Sequence, residues 1–469
     1  MGLAPSTSSR TVGAASAGLL ALALAGVPAT AASASGSGSA AVPGIAAADV
    51  VFKPGTKAAT VSTEQQLRKA VLRSNKRDGT QVIKLSADIS FAKSRKKNGG
   101  AGVGDLDVTD DLVLNGAGQT IDANGVDRIF DVAEGAKLVL RKVTLTGGAP
   151  AATQSGGAIS VAGTLKAKSV TLTRNEVEGE LASGGAVFND GGKVVVVKSR
   201  LAGNTSVRAG GAIEALEGRT VVRGSALAKN STGDEPGNGG ALHLTGPGTV
   251  EVSNSKVVKN KAGAEGGGLW NSADGTMTVQ NSVVSQNKVS GAEADQGGGG
   301  LYNDGGALRV TGSTVSKNKA TGELGSGGGI LNVSGFLEVA DSSIAGNTSK
   351  RAGGGIETSA GTVELVDVEL VENTTGKAPG NGGGLHVTGE AAVTYDGGTT
   401  VRNTAAAQGG GLWNSETGTL TVTDVKIRKN KASEKNNTYN DGGVFTVDGE
   451  PVESDNEDDG GGFPLPLPF

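Results

Sequence analysis

The sequence contains no cysteine, and this absence excludes disulfide bonds and thiolate metal ligands. A folded state of these 469 residues must therefore be stabilised by its apolar core and its hydrogen bonds. Aromatic residues make up only 3% of the chain, with two tryptophans and two histidines. The net charge of −4 is spread along the sequence without an evident basic stripe, so nucleic acid is not an expected partner.

Long apolar runs are scarce, and the one near the N-terminus is too short to span a bilayer. Arg10, an apolar run over 19–25 and small residues at 29–31 predict a secretory signal peptide over residues 1–31. Residues 32–60 are rich in Ala, Ser and Gly and predict a flexible lead-in. Residues 451–469 predict a disordered acidic and proline-rich tail. We therefore expect a secreted, extracellular monomer without a transmembrane segment in its mature form.

What the sequence has in abundance is glycine, 80 residues, together with a regular repeat. An aliphatic residue three positions before an asparagine recurs with a regular spacing along most of the chain. These asparagines are Asn175, Asn204, Asn230, Asn260, Asn287, Asn318, Asn347, Asn373, Asn403 and Asn430. A period of roughly 30 residues predicts a solenoid or a related repeat architecture. Recurrence at one corner of every coil favours a hydrogen-bonded asparagine ladder, and the alternative is that asparagine is there only as a good turn residue.

The residues inside each repeat indicate strands rather than helices. Leu308, Val310 and Val315 precede Asn318, and a separation of two residues is the period of a strand. Frequent glycine suits tight corners and disfavours helix interiors. We therefore predict an all-β fold, a right-handed parallel β-helix over residues 61–450, in which stacked coils bury one aliphatic column.

A single amphipathic helix is predicted shortly before the first strands. Thr63 and Gln66 have the spacing of a capping box. Leu67, Ala70 and Val71 then form one narrow apolar face, continued by Ser74. Because a solenoid needs its open end covered, we interpret this segment as the N-terminal cap, with a surface helix that caps nothing as the alternative.

The chain also resembles a known family at several stretches. The segment from Leu67 to Val71, with the strand over 82–85, resembles the CSLREA-type N-terminal region of secreted bacterial β-helix proteins, although the cysteine of that signature is missing. The Gly-Gly-x-aliphatic and aliphatic-x-x-Asn units are similar to the repeats of polymorphic outer-membrane proteins. This resemblance implies a right-handed parallel β-helix of the pectate-lyase-like class and does not specify a function.

A large block of the chain is duplicated, with 159–301 repeated as 302–444. The segment 268–272 recurs as 411–415, and His243 recurs as His386. Both tryptophans and both histidines of the chain belong to this duplication. The second copy therefore records a common history and is not independent evidence of function.

The residue after each Gly-Gly-x-aliphatic unit is predicted to face outward, since side chains of a strand alternate. From coil to coil this position holds Ser160, Phe188, Glu214, His243, Trp270, Tyr302, Leu331, Glu357, His386, Trp413 and Phe445. An exposed column of rings and carboxylates is suited to bind a surface polysaccharide. The predicted binding residues are Phe188, Glu214, His243, Trp270, Tyr302, Glu357, His386 and Trp413. The alternative is that these rings stack on each other or are covered by the loops that precede each Gly-Gly.

A catalytic site is not evident in the sequence. Glu214 and Glu357 are predicted to lie too far apart to act on one glycosidic bond. The densest acidic cluster, Asp105 to Asp111, lies in the early coils, and no metal site or cofactor is expected. We therefore expect an extracellular structural, adhesive or glycan-binding protein, with a polysaccharide lyase or glycoside hydrolase as the alternative.

Overall fold

The computed structural model describes residues 58–93, 104–377 and 379–454. The predicted signal peptide, nearly all of the predicted lead-in and most of the predicted tail lie outside these residues. No helix among the described residues is long and apolar enough to cross a membrane.

The described residues form a parallel β-solenoid of about 14 turns, which confirms the predicted parallel β-helix. Each full coil consists of a column strand, a broad strand, a narrow strand and in most coils a short strand, in that order along the chain. Each strand pairs in parallel with its equivalents in the previous and next coils. The right-handed winding and the pectate-lyase-like class stay predictions.

The strands fall into four ladders. The broad ladder contains Ala59–Val61, Gln81–Leu85, Leu112–Asn115, Lys137–Arg141, Thr164–Lys168, Lys193–Val197, Gly218–Arg223, Gly248–Ser253, Thr276–Gln280, Thr419–Thr423 and Val444–Val447. The column ladder contains Leu106–Val108, Phe130–Val132, Ile159–Val161, Val187–Asn189, Ile213–Ala215, Leu242–Leu244, Leu269–Asn271, Ile356–Thr358, Leu385–Val387, Leu412–Asn414 and Thr438–Asn440. Leu301–Thr311 and Ile330–Ala340 pass through both of these ladders.

The remaining two ladders are shorter in each coil. The narrow ladder contains Ile89–Ser90, Thr120–Asp122, Thr144–Thr146, Thr171–Thr173, Arg200–Ala202, Ala226–Ala228, Lys256–Val258, Val283–Ser285, Thr314–Ser316, Ser343–Ala345 and Lys426–Arg428. Thr362–Val371 and Ala392–Val401 pass through the broad and the narrow ladder. The short ladder, a separate sheet, contains Glu176–Val177, Thr205–Ser206, Ser231–Thr232, Lys261–Ala262, Lys288–Val289, Lys319–Ala320, Thr348–Ser349 and Thr374–Thr375.

The core follows from the alternation of side chains along the strands. Leu308, Val310 and Val315 are all fully buried, as the repeat predicts. Their equivalents in neighbouring coils pair with them in register, so each aliphatic side chain stacks on another one. The result is one continuous apolar cluster inside the solenoid. This core stabilises a fold that has no disulfide bonds.

The predicted asparagine ladder is present at the corner after the narrow strand. Asn318 is fully buried, and its Nδ2 donates to Asn347 Oδ1 at 3.0 Å and to the Val284 carbonyl oxygen at 2.9 Å. Its Oδ1 accepts from the backbone N and the Nδ2 of Asn287 at 2.9 and 3.0 Å. Each ladder amide is therefore fully bonded, which removes the cost of burying it.

A second ladder, of serines, lies at the corner before the narrow strand and was not predicted from the sequence. The backbone N of Ser282 donates to Ser313 Oγ at 3.0 Å, and Ser313 Oγ donates to the Thr311 carbonyl oxygen at 2.9 Å. The same contacts recur at the serines of the other coils. These serines are Ser199, Ser225, Ser255, Ser282, Ser313 and Ser342.

The predicted helix, α1, spans Glu64–Ser74, and the Thr63 hydroxyl accepts from the Gln66 backbone N at 3.3 Å. Its buried face consists of Leu67, Ala70, Val71 and Ser74, as the sequence predicts, and the first three join the solenoid core. At the other end, Glu450–Pro451 pairs antiparallel with Val444–Val447, the one antiparallel pairing among the described strands.

Candidate functional site

The predicted column is in register along the solenoid. Glu214 lies beside His243, His243 beside Trp270, and Trp270 beside Tyr302 on successive column strands. The second block repeats this order, with Glu357 beside His386 and His386 beside Trp413. The internal duplication is thus visible as two stacked blocks of one ladder.

Both ends of the column differ from the prediction. The residue paired with Trp413 is Tyr439, because Phe445 belongs to the broad ladder, pairs with Leu420 and is buried in the core. At the other end the column extends back to Asp131 and Asp107, which stand in register with Ser160. These early coils carry no Gly-Gly signal, so the repeat alone did not identify them.

The prediction that the column is exposed is wrong. Glu214 and Glu357 are each 1% exposed, Tyr302 is 3% exposed, and Trp270 and Trp413 are 8% and 7% exposed. His243 and His386 are also buried, whereas Phe188 and Ser160 are half-buried. Strand alternation predicts that a side chain leaves the core, but it does not predict what covers that side chain.

Residues in the preceding loops bond to the column. Trp270 Nε1 donates to Glu265 Oε2 at 2.8 Å, and the Tyr302 hydroxyl donates to the Asp295 carbonyl oxygen at 3.0 Å. Burial raises the pKa of the Glu265 carboxyl, although the bond from Trp270 opposes this shift. Burial likewise raises the pKa of the Tyr302 hydroxyl, which therefore stays protonated at neutral pH.

The rings of the column stack on one another. The ring centroids of His243 and Trp270 lie 4.2 Å apart, and those of Trp270 and Tyr302 lie 5.9 Å apart with nearly parallel planes. In the second block the His386–Trp413 distance is 4.3 Å and the Trp413–Tyr439 distance is 6.2 Å. Both faces of each indole are thus covered by neighbouring rings, which leaves no free indole face for a sugar.

The carboxylate in the first block is held by a histidine and a threonine. His243 Nδ1 lies 3.1 Å from Glu214 Oε1, and the Thr245 hydroxyl donates to the same oxygen. Thr245 Oγ1 also lies 3.0 Å from His243 Nδ1, so the three polar groups form one closed cluster. The histidine and the threonine give Glu214 Oε1 two polar partners, which reduces the cost of burying this side chain.

The second block uses an arginine for the same purpose. Arg351 Nη1 donates to Glu357 Oε1 at 2.6 Å and to Ser326 Oγ at 2.9 Å, while His386 Nδ1 lies 3.7 Å from the carboxylate. Burial acts to raise the pKa of the Glu357 carboxyl, but His386 and the Arg351 guanidinium outweigh burial. The pKa of Glu357 is therefore below its ordinary value, and the buried side chain is ionised.

The acidic residues of the early coils gather around a buried arginine. Arg128 Nη1 bonds to Asp131 Oδ2 at 3.1 Å, and Arg128 Nε lies 3.5 Å from Asp105 Oδ2. The pKa values of Asp107, Asp127 and Asp131 are raised, and burial is the largest cause. The nearby negative charge of Asp105 raises them further. Among the described residues, no group of three or more His, Asp or Glu side chains is placed to hold a metal ion.

Charge on the surface is not evenly spread, contrary to the expectation from the sequence. Lys261, Lys288 and Lys319 are exposed and stand in register on successive strands of the short ladder. Lys259 and Lys317 are exposed directly before the ladder asparagines of the same coils. Lysines scattered in the sequence thus become a basic stripe, because the repeat places them on one edge of the solenoid.

No family model, curated protein or solved structure matches this chain. The resemblance to CSLREA-type and polymorphic outer-membrane-protein repeats is therefore unconfirmed.

Proposed function

We propose that this protein is a secreted structural protein, an extracellular β-solenoid that acts as a stable scaffold or adhesive element at a surface. The observation that supports this role best is the state of the column. Its rings are stacked on each other and its carboxylates are bonded internally, so these rare residues stabilise the coil surface. A chain with neither cysteine nor a metal cluster among its described residues gains rigidity in this way.

The stability of tryptophan variants tests the structural role. Trp270→Ala removes a buried ring from the stack and should cost about 3–5 kcal/mol of unfolding free energy. Leu181→Ala is the control, since Leu181 is 86% exposed and its truncation should change stability by less than about 0.5 kcal/mol. Urea unfolding of both variants measures the difference. A neutral Trp270→Ala would contradict the structural role of the column.

Glycan binding along the column is a second candidate function, in a narrower form than the sequence suggests. Phe188, which is half-buried, and the small exposed fractions of Trp270 and Trp413 are parts of the column that reach the surface. A sugar chain would therefore contact ring edges and the adjoining loops. Titration of the purified protein with polymeric glycans, followed by tryptophan fluorescence, tests this. If no glycan changes the tryptophan fluorescence and no glycan on an array binds the protein, glycan binding along the column is excluded.

A glycoside hydrolase or lyase is the third candidate, and one observation favours a specific place for it. Asp107 and Asp131 are paired in register on adjacent column strands, whose backbones are about 5 Å apart, so their carboxyls are neighbours, as the two carboxyls of a retaining glycosidase are. Burial raises the pKa of the Asp131 carboxyl, which is the direction that a general acid requires. Reducing-end release and unsaturation assays, with Asp131→Asn as the inactive control, test this candidate.

A further inference from the structure

Two hollows in the surface lie at one corner of the solenoid, where each coil turns from the broad ladder to the narrow ladder. The first has a volume of about 560 Å³ and is lined in part by Lys84 and Lys142. The second has a volume of about 460 Å³ and is lined in part by Lys198, Arg200 and Lys256. Both hollows are therefore bordered by positive charge.

Strand pairing shows that the two hollows follow one line along the solenoid. On one side of the corner, the broad strands carry in register Lys84, Asn115, Arg141, Lys168, Val197, Arg223 and Ser253. On the other side, the narrow strands carry in register Thr120, Thr144, Thr171, Arg200, Ala226 and Lys256. We name these two rows and the turns between them the corner groove. Seven consecutive coils at about 4.8 Å each give it a length of roughly 30 Å.

The corner groove is basic along its length. Its basic side chains are Lys84, Arg141, Lys142, Lys168, Lys198, Arg200, Arg223 and Lys256. Lys198, Arg200 and Lys256 are exposed and form no ion pair with any residue that the structure describes. Positive charges of this kind, aligned along a hollow, attract anions to it.

The acidic residues beside the corner groove are already bonded within the solenoid. Asp88, in the turn of the first coil, accepts from the backbone N of Thr120 at 2.7 Å. Glu251, on a broad strand, bonds to Arg223 and Arg219 at 3.0 and 3.3 Å. These two carboxylates offset only part of the positive charge, so the corner groove keeps an excess of it.

The second block repeats this corner with the opposite charge. Lys198 is replaced by Asp341, and Lys256 by Thr399. The exposed acidic side chains at the equivalent corner are Asp341, Asp367, Glu369 and Asp396. The two coils between the basic and the acidic part carry no charged residue at this corner. A bound polyanion is therefore confined to the first seven coils.

The other lining residues indicate the class of polyanion. No aromatic side chain is among the described residues that line either hollow. Proteins that bind single-stranded nucleic acid without sequence preference stack its bases on aromatic rings, so this lining does not favour nucleic acid. The hydroxyl of Thr171 and the amides of Asn115 and Asn254 lie among the basic side chains and can bond to sugar hydroxyls. A hollow line also suits a linear polymer better than a flat membrane.

We propose that the corner groove binds a linear acidic polysaccharide, a glycan with carboxylate or sulfate groups along its chain. The glycan lies along the solenoid axis, so its anionic groups pair with basic side chains of successive coils. Each exposed ion pair is weak alone, and several must act together on one polymer. Such a polymer holds the scaffold at a surface, and in this respect the inference rests on the proposed function.

Titration of the purified protein with labelled polymers tests the ligand class. Dextran sulfate supplies sulfate groups, alginate supplies carboxylates, and dextran is the neutral probe. Fluorescence anisotropy at low salt should show binding of at least one acidic polymer and none of dextran, with an affinity that falls as salt is added. Binding of neither acidic polymer would overturn the proposal. Tighter binding of single-stranded DNA than of both acidic polymers would overturn the assignment to a polysaccharide.

Variants with equal net charge test the place of binding. Lys198→Gln, Arg200→Gln and Lys256→Gln together remove three positive charges from the corner groove and should weaken binding about tenfold or more. The control removes three exposed lysines of the short ladder, and its affinity should stay within about twofold of the original. Its substitutions are Lys261→Gln, Lys288→Gln and Lys319→Gln. Equal losses in the two variants would show attraction by net charge alone and overturn the proposal.

The duplication offers a gain-of-binding variant. Asp341→Lys, Asp367→Gly and Glu369→Ala give the second block the residues that the first block carries at these positions. Because the substitutions remove repulsion at the acidic part of the corner, they should tighten the binding of long acidic polymers by about threefold or more. An affinity that does not rise would contradict the corner groove as the binding site.

These experiments can fail separately from the test of the scaffold role. None of the substitutions changes a residue of the column, so the unfolding free energy of each variant should stay close to that of the original chain. An absence of polysaccharide binding leaves the destabilisation expected for Trp270→Ala unaffected. A neutral Trp270→Ala, with binding to the corner groove retained, would instead contradict only the structural role of the column.

Discussion

A single ladder asparagine connects its own coil to both neighbouring coils. Asn318 accepts from Asn287 on one side and donates to Asn347 on the other, with a further bond to the Val284 carbonyl oxygen. Its position is fixed from both sides, so truncation leaves buried donors and an acceptor without partners. An unpaired buried polar group costs about 1–3 kcal/mol.

We therefore predict that Asn318→Ala lowers the free energy of unfolding by about 3 kcal/mol or more, because several bonds are lost together. Thr314→Ala, at a half-buried outward position of the same coil, is the control and should cost about 0.5 kcal/mol. Urea denaturation measures both values. Equal effects of the two substitutions would show that the ladder does not stabilise the corner.

The two blocks differ at one residue-level contact that offers a matched pair of variants. Arg351 bonds to the buried Glu357, whereas its equivalent, Arg208, donates to Ser183 Oγ at 3.4 Å. Arg351→Met should cost about 2–4 kcal/mol at neutral pH, because it removes a partner of a buried carboxylate. Arg208→Met should cost less than about 1 kcal/mol. Thermal or urea unfolding at pH 7 compares them.

The same contact has a definite pH dependence. The pKa of Glu357 in the folded state is below its ordinary value of 4.5, so its ionised form adds stability above that pH. This stability is lost as the pH falls through the folded-state pKa. The gap in stability between the original chain and Arg351→Met should therefore shrink on acidification below about pH 4.5. A gap that stays constant between pH 7 and pH 3 would contradict the ion pair.

At the scale of elements, helix α1 provides the clearest contrast between a buried and an exposed face. Val71 is 2% exposed and joins the solenoid core, whereas Leu72 is 59% exposed. Val71→Asp should cost about 3 kcal/mol or more, since it places a charge in that core. Leu72→Asp should stay within about 0.5 kcal/mol. Melting curves distinguish the two, and aggregation of Val71→Asp alone would fit an uncovered first coil.

The elements differ in how far the sequence predicts them. The ladder of asparagines and the buried face of α1 were predictable, because fixed offsets such as Leu308, Val310 and Asn318 impose one geometry on every coil. The serine ladder was missed, since serine is common at turns and carries no distinct signal. The burial of Trp270 was also missed, because it depends on loop residues such as Glu265 whose conformation does not follow the repeat.

At the scale of the whole solenoid, coils contact mainly their neighbours, and stability is expected to be nearly a sum over coils. Deletion of residues 188–330 removes the length of one block and joins Val187 to Leu331. The deletion preserves the strand register, because Val187 and Ile330 are equivalent. We predict a folded, shorter solenoid with a smaller urea m-value, since less surface becomes exposed on unfolding.

Deletion of residues 188–329 is the matched control for this experiment. It retains one additional residue and turns the inward side chains of the joined strand outward, which disrupts the core. We expect this variant to melt at a much lower temperature than the in-register deletion. Equal stability of the two would mean that the blocks are not interchangeable coils.

The duplication also affects how the chain reaches its native state. Ile330 matches Val187 in its ladder, so a folding chain can stack residue 330 on Ile159 and leave a whole block as a closed loop. Loop closure penalises this error weakly, because its entropy cost grows only with the logarithm of length. The native order must be selected by contacts at the coil of Ile159 that the second block cannot repeat, such as the pairing of Ser160 with Phe188, whose equivalent in the second block is Leu331. Synthesis from the N-terminus also favours the native order, because the first block is complete before the second block has been made.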